Sequence, residues 1–107
     1  MKVKIPFKPR FREAMLCTPQ RKTWTSRTRR MGNAGDTFDA FGATFEIERV
    51  ERRTLRDIMH NYWIFEGCSS ASDFFEVWES IHRRKGFVAS QRVYVHVFRR
   101  LGGAVQC

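Results

Sequence analysis

No apolar run in this chain approaches the roughly 20 residues that a helix needs to cross a bilayer, which excludes a helical membrane span. The basic start, Met1-Lys2-Val3-Lys4-Ile5-Pro6, is followed by no apolar stretch, so no signal peptide is expected. Cysteine is scarce: Cys17, Cys68 and Cys107 are odd in number and lack CxxC spacing. That pattern argues against a disulfide framework and for free thiols in a reducing cytoplasm. His60, His82 and His96 have no cysteine or carboxylate beside them at ligand spacing, so neither a metal nor a cofactor is expected. A phosphate-cradling glycine loop, a Ser-His-Asp order and a dinucleotide fingerprint are all absent. Repeats and low-complexity linkers are absent too.

Acid is what the first thirty residues lack most. Glu13 stands alone there against a series of lysines and arginines from Lys2 to Arg30. The whole chain carries 20 Lys and Arg against 11 Asp and Glu, a net charge of +9. Such an imbalance points to a polyanionic partner, RNA or a nucleotide, although phosphate contacts position a protein without reading bases. A second basic run, Arg83-Arg84-Lys85, adds to the same field.

At 107 residues and 42% hydrophobic content, the chain suits one domain with one small core. Ten Phe and three Trp must supply much of the burial. Val3 and Ile5 alternate with lysines as a short strand does, and Pro9 suits the first turn of a helix over about residues 9–17, with Phe11, Ala14 and Met15 inward. Residues 22–28 read as a strand that leads into a glycine-rich turn at 31–36. Phe38 and Ala40, a turn at Gly42-Ala43, then Phe45 and Ile47 read as a hairpin.

Thr54-x-x-Asp57 and Ser70-x-x-Asp73 are capping boxes that open two helices. Leu55, Ile58, Met59 and Tyr62 form the inward face of the first; Phe74, Val77, Trp78 and Ile81 form that of the second, with Glu79 outward. Gly67 ends the first helix or its extension. Residues 92–99 read as a central strand, because Val93, Val95 and Val97 face one side and Tyr94, His96 and Phe98 the other. The sum is an α+β domain, a small and mostly antiparallel sheet, curled or closed, with helices at its ends. It spans residues 1–101, and residues 102–107 read as a flexible tail.

The segment Arg21-Lys22-Thr23-Trp24-Thr25-Ser26-Arg27 is a poor core strand, since buried cations are costly unless paired. It suits the floor of a site for a polar or anionic ligand, or else a solvated edge strand. Lys22-Thr23-x-Thr25-x-Arg27, placed after an amphipathic helix and before Gly35-Asp36, with paired helices and a valine-rich last strand beyond, resembles the ASCH domain. The likeness covers about residues 4–101. It implies a PUA-like small β-barrel with an N-terminal helix and a two-helix insert. The chain departs from the family at Cys17-Thr18-Pro19-Gln20-Arg21, which replaces a tight glycine-containing turn with a longer loop.

The resemblance implies an RNA- or nucleotide-binding groove around that strand, with Lys22, Thr23, Trp24, Thr25 and Arg27 as contacts and the Arg83-Arg84-Lys85 loop nearby. Some members of the family are amidohydrolases that deacetylate N4-acetylcytidine, and their lysine, threonine and glutamate match Lys22, Thr25 and Glu66. A lysine out of water can take the proton of a threonine hydroxyl that attacks the amide carbonyl. In a regular strand, however, Lys22 and Thr25 point to opposite faces, so a shared site needs Lys22 in a loop or a bulge between them. A surface glutamate at a helix end is the plainer expectation for Glu66. The binding reading leads, the hydrolase is its alternative, and a protein-interaction module comes third. Trp24 serves either as a stacking platform for a base or as core, whereas Trp78 reads as core.

Overall fold

The computed structural model describes residues 1–103. A 3₁₀ turn at Pro9–Phe11 leads into α1 (Arg12–Leu16), and four strands follow: β1 (Trp24–Arg27), β2 (Thr37–Ala40), β3 (Ala43–Thr54) and β4 (Arg92–Gly103). Between β3 and β4 lie α2 (Leu55–Asp57), continued as a π-helical turn at Ile58–Tyr62, and α3 (Ala71–Ile81). The sheet runs β1-β4-β3-β2, antiparallel at every step. Register shifts at Thr44/Phe45 and Ile47/Arg49 add curl to the long β3–β4 ribbon, and the sheet closes into half a barrel.

The local signals act as their chemistry requires. Thr54 Oγ1 accepts the Asp57 N–H at 3.2 Å, and Ser70 Oγ accepts the Asp73 N–H at 3.0 Å, so both capping hydroxyls satisfy otherwise orphaned donors. The β2–β3 hairpin turns at Phe41-Gly42, one residue before the expected Gly42-Ala43. Both residues have positive φ, 53° and 80°, the geometry that matches the natural twist of paired strands. Central β4 buries both faces, with Val93, Val95, His96, Val97 and Phe98 at 0–4% exposure. Phe98 packs edge-on to Phe38 and Phe45 (centroids 5.3 and 5.6 Å), and this aromatic cluster is the heart of the core.

His96 is a structural residue of the sheet, as its place between valines suggests. Its Nε2 accepts the Met31 N–H at 2.9 Å, and its Nδ1 lies 3.2 Å from the Thr25 carbonyl. A neutral ring that donates from Nδ1 serves both partners, and burial pushes its pKa below the ordinary value.

Several expectations need correction. Strand β1 starts at Trp24, not residue 22, so Lys22 precedes it. Strand β3 runs twelve residues, well past the Phe45 and Ile47 that the hairpin reading assigned to it. Ile81 is 51% exposed, so the buried stripe of α3 is Phe74 and Trp78, with Val77 half-buried. Gly102 and Gly103, assigned to the tail, extend β4, while residues 104–107 lie outside the described residues. Cys68 is a free thiol, but Cys17 is disulfide-bonded, so three free thiols are not what the fold holds.

Candidate functional site

Lys22 is placed by the end of α1. The Ala14 carbonyl accepts the N–H groups of both Arg21 and Lys22 at 2.8 Å, which holds the chain in a tight loop before the strand starts. Lys22 is therefore free of the strand's alternation and turns inward to 3% exposure. Its Nζ donates to the Trp24 carbonyl at 2.8 Å and the Glu66 carbonyl at 2.7 Å, and sits 3.7 Å from Glu66 Oε1. It also lies 4.5 Å from the Phe11 ring centre. Burial pushes the Lys22 pKa below its ordinary value, while the Glu66 carboxylate works in the opposite direction.

Glu66 is not a surface residue. It is 5% exposed, and its Oε2 accepts the Ser26 hydroxyl at 2.6 Å. The segment Phe65–Gly67 is drawn to β1 because the Phe65 carbonyl accepts the N–H groups of Thr23 (2.9 Å) and Trp24 (3.0 Å). Gly67 makes this approach possible. Its φ is +83°, and a Cβ there would lie 2.9 Å from Lys22 Cβ.

These groups form the polar floor of a cavity of about 550 Å³. Lys22, Thr25, Ser26 and Glu66 are its buried polar residues. The walls are apolar and aromatic, built from Phe7, Phe11, Met31, Phe74 and Trp78. Arg27 spans floor and rim: its Nε donates to Thr25 Oγ1 at 3.1 Å, its Nη2 to the Pro6 carbonyl at 2.5 Å, and its guanidinium lies 5.0 Å from the Phe7 ring centre. The cavity thus combines flat apolar walls with a few fixed donors and acceptors, the usual make-up of a small-ligand site.

The residues singled out in the sequence divide sharply. Lys22, Thr25, Arg27 and Glu66 line the cavity; Thr23, Trp24, Arg83, Arg84 and Lys85 are not part of its lining. Trp24 is 6% exposed and stacks on Tyr62 and Phe65 (centroids 4.6 and 5.5 Å), so its ring is committed to packing. Arg83, Arg84 and Lys85 sit in an exposed turn after α3. Lys22 and Glu66 meet directly, whereas the hydroxyl that touches Glu66 belongs to Ser26 and that of Thr25 is engaged by Arg27. Among the described residues, no cluster of His, Cys, Asp and Glu is arranged to hold a metal.

Sequence reasoning missed Ser26, Cys68 and the aromatic walls. A serine between Thr25 and Arg27 carries no mark of contact with a residue forty positions away. Cys68 is 7% exposed and lines the cavity, and burial pushes its thiol from an ordinary 9.0 to about 11. At pH 8 its alkylation is expected to run about a hundredfold slower than after denaturation, in proportion to the lost thiolate. Peptide-resolved mass spectrometry measures this, and equal rates in both states would mean that the thiol is open to solvent.

No protein-family model matches the chain, and no curated protein matches it. Among solved structures, it is similar to the crystal structure of protein EF3133 from Enterococcus faecalis V583, of family DUF984. The TM-score is 0.62 at 15% identity, over 86% of this chain and 67% of that one. At that identity the likeness carries the fold alone: the two chains share a small, barrel-like α+β architecture.

Proposed function

We propose that this chain is an ASCH domain with a PUA-like barrel, and that its cavity binds a single unstacked nucleobase of RNA or of a free nucleotide. The observation that carries this reading is the cavity itself, about 550 Å³ with aromatic walls over the buried Lys22–Glu66–Ser26 floor. Flat π-surfaces accept a base by stacking, and a fixed carboxylate with neighbouring donors reads its polar edge. The net charge of +9 draws the polyanion or nucleotide that bears the base. The Lys22 ammonium has acceptors on hand in two carbonyls and a carboxylate, which suits it to hold the floor together.

A second reading, N4-acetylcytidine amidohydrolase, is favoured by one specific feature. Lys22 has a lowered pKa and stands beside Glu66, with the hydroxyls of Thr25 and Ser26 in the same cavity. In that reaction a hydroxyl attacks the acetyl carbonyl and gives up its proton to the base. The cytidine amine leaves with a proton, and water then releases acetate from the acyl-enzyme.

The test is titration of nucleosides against intrinsic tryptophan fluorescence, followed by incubation with N4-acetylcytidine. The binding reading predicts saturable quenching, an affinity about three- to tenfold weaker in Arg27→Gln, and no release of cytidine. Absence of any nucleoside binding would remove it. Cytidine release that disappears in Thr25→Val or Ser26→Ala would replace it with the hydrolase.

A further inference from the structure

The cavity has a charge gradient from floor to mouth. Its lining holds one carboxylate, Glu66, which is 5% exposed and already engaged by Ser26 and Lys22. The lining residues that are exposed mark the mouth, and there the charged side chains are Lys8 and Arg29. Among the described residues, the Lys8 ammonium forms one side-chain hydrogen bond, to the Ser80 hydroxyl at 3.4 Å, and Arg29 forms no ion pair. Arg27 reaches toward the same rim with Nη1 left over after its bonds to Thr25 and Pro6.

Cations that line one cavity repel each other, and here no exposed acid of the lining balances them. Elsewhere among the described residues, Arg10 pairs with Asp73, Arg53 with Glu51 and Asp57, and Arg99 with Glu46. An uncompensated rim around an apolar interior fits a ligand that is flat and uncharged at one end and dianionic at the other.

We propose that the ligand of this cavity is a nucleoside monophosphate, with its base inside and its phosphate at the mouth on Lys8, Arg29 and the free Nη1 of Arg27. This rests on the reading of the cavity as a nucleobase site. Phosphate and guanidinium form charge-assisted bonds, shorter and stronger than neutral ones, so the phosphate adds affinity that the nucleoside lacks. The cations belong to two separate segments, Pro6–Pro9 and Ser26–Arg29, so a phosphate held there also ties the N-terminal strap to β1.

The experiment measures binding of the four ribonucleosides, their 5′-monophosphates and a 5′-phosphorylated tetranucleotide at low and moderate salt. The best monophosphate is expected to bind about tenfold more tightly than its nucleoside, and the preference should shrink with salt. Lys8→Gln/Arg29→Gln should abolish the preference by bringing monophosphate affinity down to that of the nucleoside. Arg83→Gln/Arg84→Gln, with the same change in net charge but outside the cavity, should retain it. Equal affinity for nucleoside and monophosphate would overturn this inference and leave the nucleobase reading standing. An equal loss in both double variants would overturn it as well, since the effect would then be the general field of a basic protein. A tetranucleotide that binds far more tightly than the mononucleotide would replace it with an RNA backbone track. If neither nucleoside nor nucleotide binds, the nucleobase reading falls and takes this one with it.

Discussion

Replacing Glu66 with leucine is expected to destabilise the fold by about 3–5 kcal/mol near neutral pH, because it leaves a buried ammonium without its counter-charge. Lys22 and Glu66 have side-chain exposures of 3% and 6%, so solvent does little to compensate for the missing partner. The substitution also strips the Ser26 hydroxyl of its acceptor. Lys22→Met should be similarly costly for the mirror-image reason, since it strands the carboxylate together with two carbonyls. The double variant Lys22→Met/Glu66→Leu is expected to recover much of the loss, since an apolar pair of similar volume avoids both desolvation penalties. Denaturant titrations of the four proteins measure the coupling. A loss below about 1 kcal/mol in each single variant would mean that the pair is solvated and that the cavity floor is built differently.

The pH dependence has a definite sign. The folded-state pKa of Lys22 lies below its ordinary 10.5, so between the two values the unfolded chain binds more protons than the folded one. Stability contributed by this group therefore rises as pH climbs through that window. Glu66→Leu removes the carboxylate that favours the cation, which lowers the folded pKa further and extends the rise to lower pH. Cys68 acts in the opposite direction. Its thiol is raised from 9.0 to about 11, so above pH 9 the unfolded chain loses its proton first and stability falls. Stability measured against pH in a Cys68→Ala background isolates the lysine.

How much of this is legible in the sequence depends on whether the signal is local. The capping boxes at Thr54 and Ser70, the central strand with two apolar faces and the inward residues of α1 follow from spacing alone, and the structure has them. The length of β3 does not follow, because beyond Ile47 it reads Glu-Arg-Val-Glu-Arg-Arg and shows no apolar alternation. Its charges are held instead by lateral partners: Arg49 and Arg53 on Glu51, and Arg52 4.2 Å from the ring centre of Tyr94 across the ladder. The site obeys the same rule. Lys22 and Thr25 are incompatible only for a strand that begins at 22. A hydrogen bond from Lys22 to Ala14, a contact made by the tertiary fold, moves the start to Trp24. Glu66 reads as a surface residue because a helix-end glutamate gives no sign that a lysine forty-four positions earlier will bury with it.

Trp78→Ala should cost about 3–5 kcal/mol, yet Trp78→Phe should cost well under half of that. The alanine variant empties a site that is 4% exposed, where the indole packs against Phe74 and stacks on His82 with centroids 4.0 Å apart. The phenylalanine variant loses ring atoms too, but it also removes a liability. Among the described residues, Trp78 Nε1 is one of two buried side-chain polar atoms that have no hydrogen-bond partner. An unpaired buried donor costs on the order of 1–3 kcal/mol, and this offsets a good part of the lost burial. A neighbouring substitution separates packing from surface effects. Sequence position puts Glu79 on the solvent face, which predicts a cost under about 0.5 kcal/mol for Glu79→Ala. The structure instead has Glu79 Oε2 accept the Phe87 N–H and close the loop after α3, so a loss of about 1 kcal/mol is expected. Thermal melts rank the three variants, and nucleoside titration follows the wall of the cavity through Trp78→Ala, which should lose binding. If Trp78→Phe proved as damaging as Trp78→Ala, the indole nitrogen must have a partner in solution, and α3 must seat its tryptophan against a polar group instead of an apolar wall.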